Sequence, residues 1–133
     1  MNISEVREEL ADVLDDIPGL RAKPNVPDQV NPPLAYVDTV SLNYRYDLSP
    51  SGMFATLAVV LLVSSADSKR GQDALDEYLS SEGDRSIYQK VSANTDLNGT
   101  CDWAQVSTAD EVGLYEVAGS KYVGARLLVE VAG

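Results

Sequence analysis

Histidine is absent from this chain of 133 residues. Its absence removes the side chain that most readily gains and loses a proton near neutral pH, and with it the commonest metal ligand. Cysteine occurs once, as Cys101. No disulfide can close within the chain, and neither a Cys/His zinc site nor a Cys–His dyad can be built from it. A single thiol suits a reducing compartment, and such a residue is most often a small buried apolar group. Serines are frequent, yet no base stands near any of them to make a nucleophile. Long apolar runs are also lacking. The longest, Phe54 to Val63, is interrupted by Thr56 and is too short to cross a bilayer as a helix. The opening residues show no basic segment followed by an apolar core, so a signal peptide is not expected. Basic residues are scarce, 10 against 21 acidic ones, for a net charge of −11. Tight binding to a phosphate backbone relies on Lys and Arg displacing counterions, and docking on an anionic membrane needs the same charge, so neither is expected. No catalytic, cofactor-binding or metal-binding residue is expected.

What is present describes one domain over residues 1–133. Ile3, Val6, Leu10, Val13, Leu14 and Ile17 recur at spacings of three and four, which predicts a helix over 3–17. Asn2 and Glu5 have capping-box spacing, and Pro18-Gly19 stops the helix. Residues 18–33 carry Pro24, Pro27, Pro32 and Pro33 and read as an extended connector. Leu34 to Leu42 reads as a strand. Asn43 to Gly52 reads as the arm of a long hairpin with its turn at Ser49 to Gly52. Met53 to Val63 is apolar on both faces, as a central strand would be. A second helix starts at Ser65 or Asp67 and buries Ala74, Leu75, Tyr78 and Leu79. Gly83 separates it from a short helix over 86–93, capped by Asp84 or Ser86. Cys101 to Ser107, Gly113 to Val117 and Tyr122 to Val131 read as three further strands, with a turn at Gly119-Ser120. This layout predicts an α+β fold: a mixed, mostly antiparallel sheet of about five strands, with an N-terminal helix and a central helix pair packed on it.

The polar clusters do not make a reaction centre. Asp15-Asp16, Asp73 with Glu77, and Asp110-Glu111 are carboxylate pairs in polar contexts and read as solvated surface. Asn94 to Gly99 has oxygen-bearing side chains at alternate positions and Gly sixth, like the start of a calcium loop. The twelfth position is Gln105, which cannot chelate as a carboxylate, so a turn leading into a strand is expected. Asn2-Ile3-Ser4 and Asn98-Gly99-Thr100 match the glycosylation pattern without any sign of secretion. Tyrosine is abundant, 7 residues against one Phe. An apolar ring with a polar tip suits half-buried sheet packing and equally suits protein interfaces. Tyr44 and Tyr46 share one face of the hairpin arm, where an interface is favoured. Trp103 suits either the core or a contact.

Leu75-Asp76-Glu77-Tyr78-Leu79, Gly83, Ser86-Ile87, Asp96-Leu97-Asn98-Gly99 and Tyr122-Val123-Gly124-Ala125 together resemble the tail terminator proteins of long-tailed phages that infect actinobacteria. The amphipathic first helix and the Pro-rich stretch before a strand fit as well. The family's pattern often has Pro after the Leu-Asp pair and a double Gly after the Leu, where this chain has Glu77 and Asn98-Gly99. The resemblance implies a mixed α/β fold and a ring, usually of about six subunits. Such a ring caps the tail tube, stops its polymerisation and joins it to the head connector. The implied partners are further copies of the chain, the major tail tube protein and a connector or stopper protein, with genomic DNA as passing cargo and no membrane. The implied location is the tail–neck junction of a virion assembled in the host cytoplasm. In such a ring, the candidate subunit interface comprises Tyr44, Arg45, Tyr46 and Asp47 on the arm, with Trp103 and Tyr115. The Asp110-Glu111 loop is expected to reach a neighbour or the channel. Another neck component and a small acidic cytoplasmic adaptor are the alternative readings.

Overall fold

A computed structural model describes residues 1–44, 52–66 and 70–133. The elements run α1 (Ile3–Asp15), β1 (Arg21–Lys23), β2 (Leu34–Tyr44), β3 (Met53–Ser65), α2 (Gly71–Leu79), α3 (Ile87–Ser92), β4 (Trp103–Val117) and β5 (Ser120–Ala132). The strands form a five-stranded sheet in the order β1-β2-β3-β5-β4. β1 lies parallel to β2, and every other neighbouring pair is antiparallel. The fold is therefore α+β with a mixed sheet, as the grouping of strands suggested.

β3 is central because no face of it tolerates water. Leu57, Val59, Leu61 and Val63 join the larger core, which also holds Val6, Leu10 and Leu14 of α1, Leu75 and Tyr78 of α2, and Ile87 and Val91 of α3. Val60 and Leu62 point to the opposite side and meet Leu34 and Tyr36 of β2 in a second, smaller cluster. That cluster is covered by Val30, Tyr115, Val117 and Tyr122. Each fully buried aliphatic side chain contributes roughly 1.5–3 kcal/mol.

The helix ends follow local chemistry. Asn2 Oδ1 accepts the Glu5 N–H at 3.1 Å and caps α1. Ser86 Oγ accepts the Gln89 N–H at 3.0 Å and caps α3, which selects Ser86 over Asp84. α2 begins at Gly71 with no side-chain cap. Ser65 ends β3, and Asp67 lies outside the described residues.

Two expectations need correction. The Pro-rich connector contains β1, whose backbone N–H at Arg21 donates to the Pro33 carbonyl at 3.2 Å. Asp15 Oδ1 accepts the Ala22 N–H at 3.0 Å and ties this short strand to the end of α1. A strand of 3 residues is too brief to show alternation. The expected strands Cys101–Ser107 and Gly113–Val117 are not separate: all of the second and the first from Trp103 onward belong to one strand of 15 residues, β4. Its register against β5 slips between Val106 and Thr108 and again between Asp110 and Gly113. Each slip inserts an extra residue and swaps which residues face which side. Trp103 and Gln105 share a face with Thr108 and Asp110, and then with Gly113, Tyr115 and Val117. This double swap breaks the period-two pattern along the sequence.

Ala118 (φ 53°) and Gly119 (φ 81°) make the tight turn from β4 into β5, where paired left-handed residues match strand twist. Residues 94–100 form turns as expected, with Leu97, Asn98 and Gly99 in succession at positive φ.

Gly124 sits on β5 where a methyl group would fall on the Leu61 carbonyl oxygen and within 3.2 Å of the Tyr115 ring. Gly113, its partner on β4, has open space around it. Gly124→Ala is expected to cost about 2–3 kcal/mol in urea unfolding, and Gly113→Ala less than about 0.5 kcal/mol. Equal midpoints for the two variants would contradict this packing.

Candidate functional site

The described surfaces offer two sheet edges beside several open surface pockets. β1 covers β2 only from Leu34 to Tyr36. From Val37 to Tyr44 the outer edge of β2 has no paired strand among the described residues. β4 is the opposite edge of the sheet, and its outer side likewise has no paired strand among the described residues. Such edges present unpaired N–H and C=O groups that can template another strand. Three successive antiparallel pairings, β2–β3, β3–β5 and β5–β4, leave β2 and β4 running in opposite directions.

Large apolar side chains gather on these edges. Leu42 is 37% exposed and Tyr44 69% on β2, while on β4 Trp103 is 38% exposed and Leu114 66%. Tyr44 and Trp103, both singled out in the sequence, thus lie on opposite edges. Trp103 packs edge-on against Phe54, with ring centroids 6.1 Å apart and planes at 60°, so it is half contact and half surface. Arg45, Tyr46 and Asp47 lie outside the described residues, as does most of the hairpin arm. Leu42 and Leu114 were not singled out in the sequence. Leu42 continues the Val40 alternation, a usable signal, whereas the bulges conceal the side on which Leu114 emerges.

Tyr115 is half-buried and belongs to the small cluster on the face opposite the described helices. Its hydroxyl donates to the Glu111 carbonyl at 2.8 Å. Burial, and then the nearby Glu111 carboxylate, pushes its pKa up. This role is packing within the sheet, with part of the ring still open to solvent.

Asp110-Glu111 is not a loop. The pair occupies the second bulge of β4, with Glu111 at φ 50°. Nor is Asp110 simply solvated. Arg126 of β5 donates from Nε to Asp110 Oδ1 at 3.0 Å and from Nη2 to Asp110 Oδ2 at 3.2 Å, a two-pronged pair. Glu111 Oε1 stands 3.8 Å from the same guanidinium. The Arg126 hydrogen bonds hold the Asp110 carboxyl below its ordinary range, and the same contact raises Arg126. The hint in the sequence was Arg126 itself, a cation inside the apolar run Tyr122 to Val131.

Cys101 is half-buried just before β4. Burial first, and then the Asp96 carboxylate, pushes its thiol pKa up, which disfavours the nucleophilic thiolate. No described helix is long and apolar enough to cross a membrane.

No family model matches this chain, and no curated protein matches it.

The Arg126 pair carries a definite pH sign. A carboxylate held below its unfolded value of 3.8 contributes stability that is complete above that value. The contribution fades as pH falls from there through the lower folded value. Asp110→Asn should therefore lower the urea midpoint at pH 7, and the gap to the unsubstituted protein should close in acid. A gap that stays constant down to pH 2 would argue that the pair contributes no pH-linked stability.

Proposed function

We propose that the chain is a non-enzymatic ring subunit of a phage tail–neck junction, best read as a tail terminator. The observation that carries this reading is the two sheet edges, β2 beyond Tyr36 and β4, that have no paired strand among the described residues. They lie on opposite sides of the sheet and run in opposite directions, so one copy's β2 can meet the next copy's β4 as an antiparallel pair. A head-to-tail contact of this kind repeats the same way in each copy and closes when the rotation between copies does. Strand addition supplies the main-chain hydrogen bonds, and edge side chains supply selectivity.

The helix layer supports the same reading. Residues of α1, α2 and α3 pack on one face of the sheet, and no described strand or helix pairs with either outer edge beyond β1, so the sheet can join its neighbours sideways. The net charge of −11 fits a channel through which DNA must slide without sticking. The resemblance noted in the sequence supplies the specific assignment: a ring of about six copies that stops tube growth and meets the head connector.

The test is to add purified protein to polymerising tail tube protein. Tube growth should stop, with extra density at one end of each tube. Trp103, the single tryptophan, is part-exposed on an edge strand. Its emission should move to shorter wavelength as the ring forms on the tube and water leaves the indole. Tubes that lengthen unchecked in the presence of excess protein would remove the terminator assignment. A monomer that leaves the tubes untouched would favour the acidic-adaptor reading.

A further inference from the structure

An apolar groove runs along the β4 edge on the helix-bearing face. Its floor is apolar, from the buried Tyr78, Val106 and Leu127. Its rim carries Leu79, Tyr88 and Ala109 together with the polar Ser81, Ser107 and Thr108, and it encloses a cavity of about 180 Å³. Tyr88 is 41% exposed there, although its neighbour Ile87 is fully buried. Within this copy the groove remains open to solvent.

The opposite edge carries side chains of matching chemistry on the matching face. Val40 pairs with Leu57 and Leu42 with Ala55, both on the side of the sheet that faces the helices. Tyr44 shares that parity, and the side chains become more exposed from Val40 to Tyr44. A head-to-tail neighbour keeps its helices on the same side of the joined sheet. Its Leu42 and Tyr44 then emerge on the side where the groove lies.

Area favours an occupant of this form. About eight residues of strand edge, at roughly 3.4 Å per residue and with a sheet about 10 Å thick, bury on the order of 270 Å² per copy. Both copies together fall well short of the roughly 1,000 Å² of a specific contact. A seated aromatic ring alone adds about 150–250 Å². Edge pairing therefore needs side chains packed alongside it, and closure of a ring gives each copy two such contacts.

We infer that Leu42 and Tyr44 of one copy seat in the groove between β4 and the α2–α3 pair of the next copy. This placement rests on the ring reading above and names the contact that builds the ring. The occupant is a second copy of this chain, joined edge to edge.

Cross-linking with a short bis-maleimide tests it. In a Cys101→Ser background, one chain carries Leu42→Cys and another Ala109→Cys. The expected result is a cross-linked dimer on mixing the two chains, with none from either chain alone. Adding Tyr88→Asp to the Ala109→Cys chain should abolish the dimer while circular dichroism stays native. A second pair, Tyr44→Cys with Ser107→Cys, repeats the trial should one of the first variants misfold. No dimer from either pair, dimers from single variants at equal yield, or trapping that survives Tyr88→Asp in a folded chain would each overturn the contact. Tube capping without the mixed dimer would sink this contact and leave the terminator reading intact. A mixed dimer without tube capping would do the reverse.

Discussion

β3 has to be dry on both sides, and the rest of the fold answers to that requirement. Val59, Val60, Leu61 and Leu62 are consecutive buried residues, so their side chains alternate between two separate apolar clusters. Covering one side takes residues from three helices. On the other side no described helix packs, and Tyr115, Val117 and Tyr122 of the sheet, with Val30 of the connector, provide the cover. Gly124 enables this cover. By leaving out a side chain opposite Leu62, it lets the Tyr115 ring approach β5 closely. Three of the seven tyrosines, Tyr36, Tyr115 and Tyr122, serve this side, since a ring with a polar tip can shield an apolar patch while its hydroxyl finds a partner, as that of Tyr115 does.

The bulges in β4 belong to the same economy. Without the extra residue between Asp110 and Gly113, Leu114 and Glu116 would face the small cluster, and Tyr115 and Val117 would face away. The bulge corrects the facing. Arg126 fastens it by bonding Asp110 on the regular side while standing near Glu111 within the irregularity. The Glu111 carbonyl, turned by the positive φ, accepts the Tyr115 hydroxyl. Packing, charge and backbone irregularity at this place are one device. Bulges also blunt an edge strand against indiscriminate pairing. The two slips in β4 therefore limit which strands its outer side can pair with.

Under the ring proposal, a subunit joined through its edges also needs restraint in solution. Its net charge of −11 opposes casual association between copies, and the short β1 occupies part of the β2 edge. Joining copies then depends on local contacts good enough to overcome that repulsion. Exposed apolar residues concentrated on two edges, within an otherwise acidic surface, meet that description.

Much of this was legible along the chain. The spacing of Val6, Leu10 and Leu14 determined the first helix, and the unbroken apolar character of Ala58 to Val63 determined which strand lies at the centre. Asn2 and Ser86 announced their caps, and two apolar stretches separated by turn-forming residues announced antiparallel arms, paired from Leu34 with Leu62 through Tyr44 with Met53, while most of the turn expected at Ser49 to Gly52 lies outside the described residues. These are local matters, decided by a residue and its near neighbours. The absence of histidine and the single cysteine likewise limited the available chemistry without any coordinates. Other features were settled only by partners distant in sequence. β1 exists because β2 lies beside it and Asp15 holds its start. β4 is one strand because β5 supplies a continuous ladder across two slips in register. Asp110-Glu111 is a fastened bulge because Arg126 stands opposite. The edges of the sheet, and the groove beside one of them, are set by strand order, which no local pattern encodes.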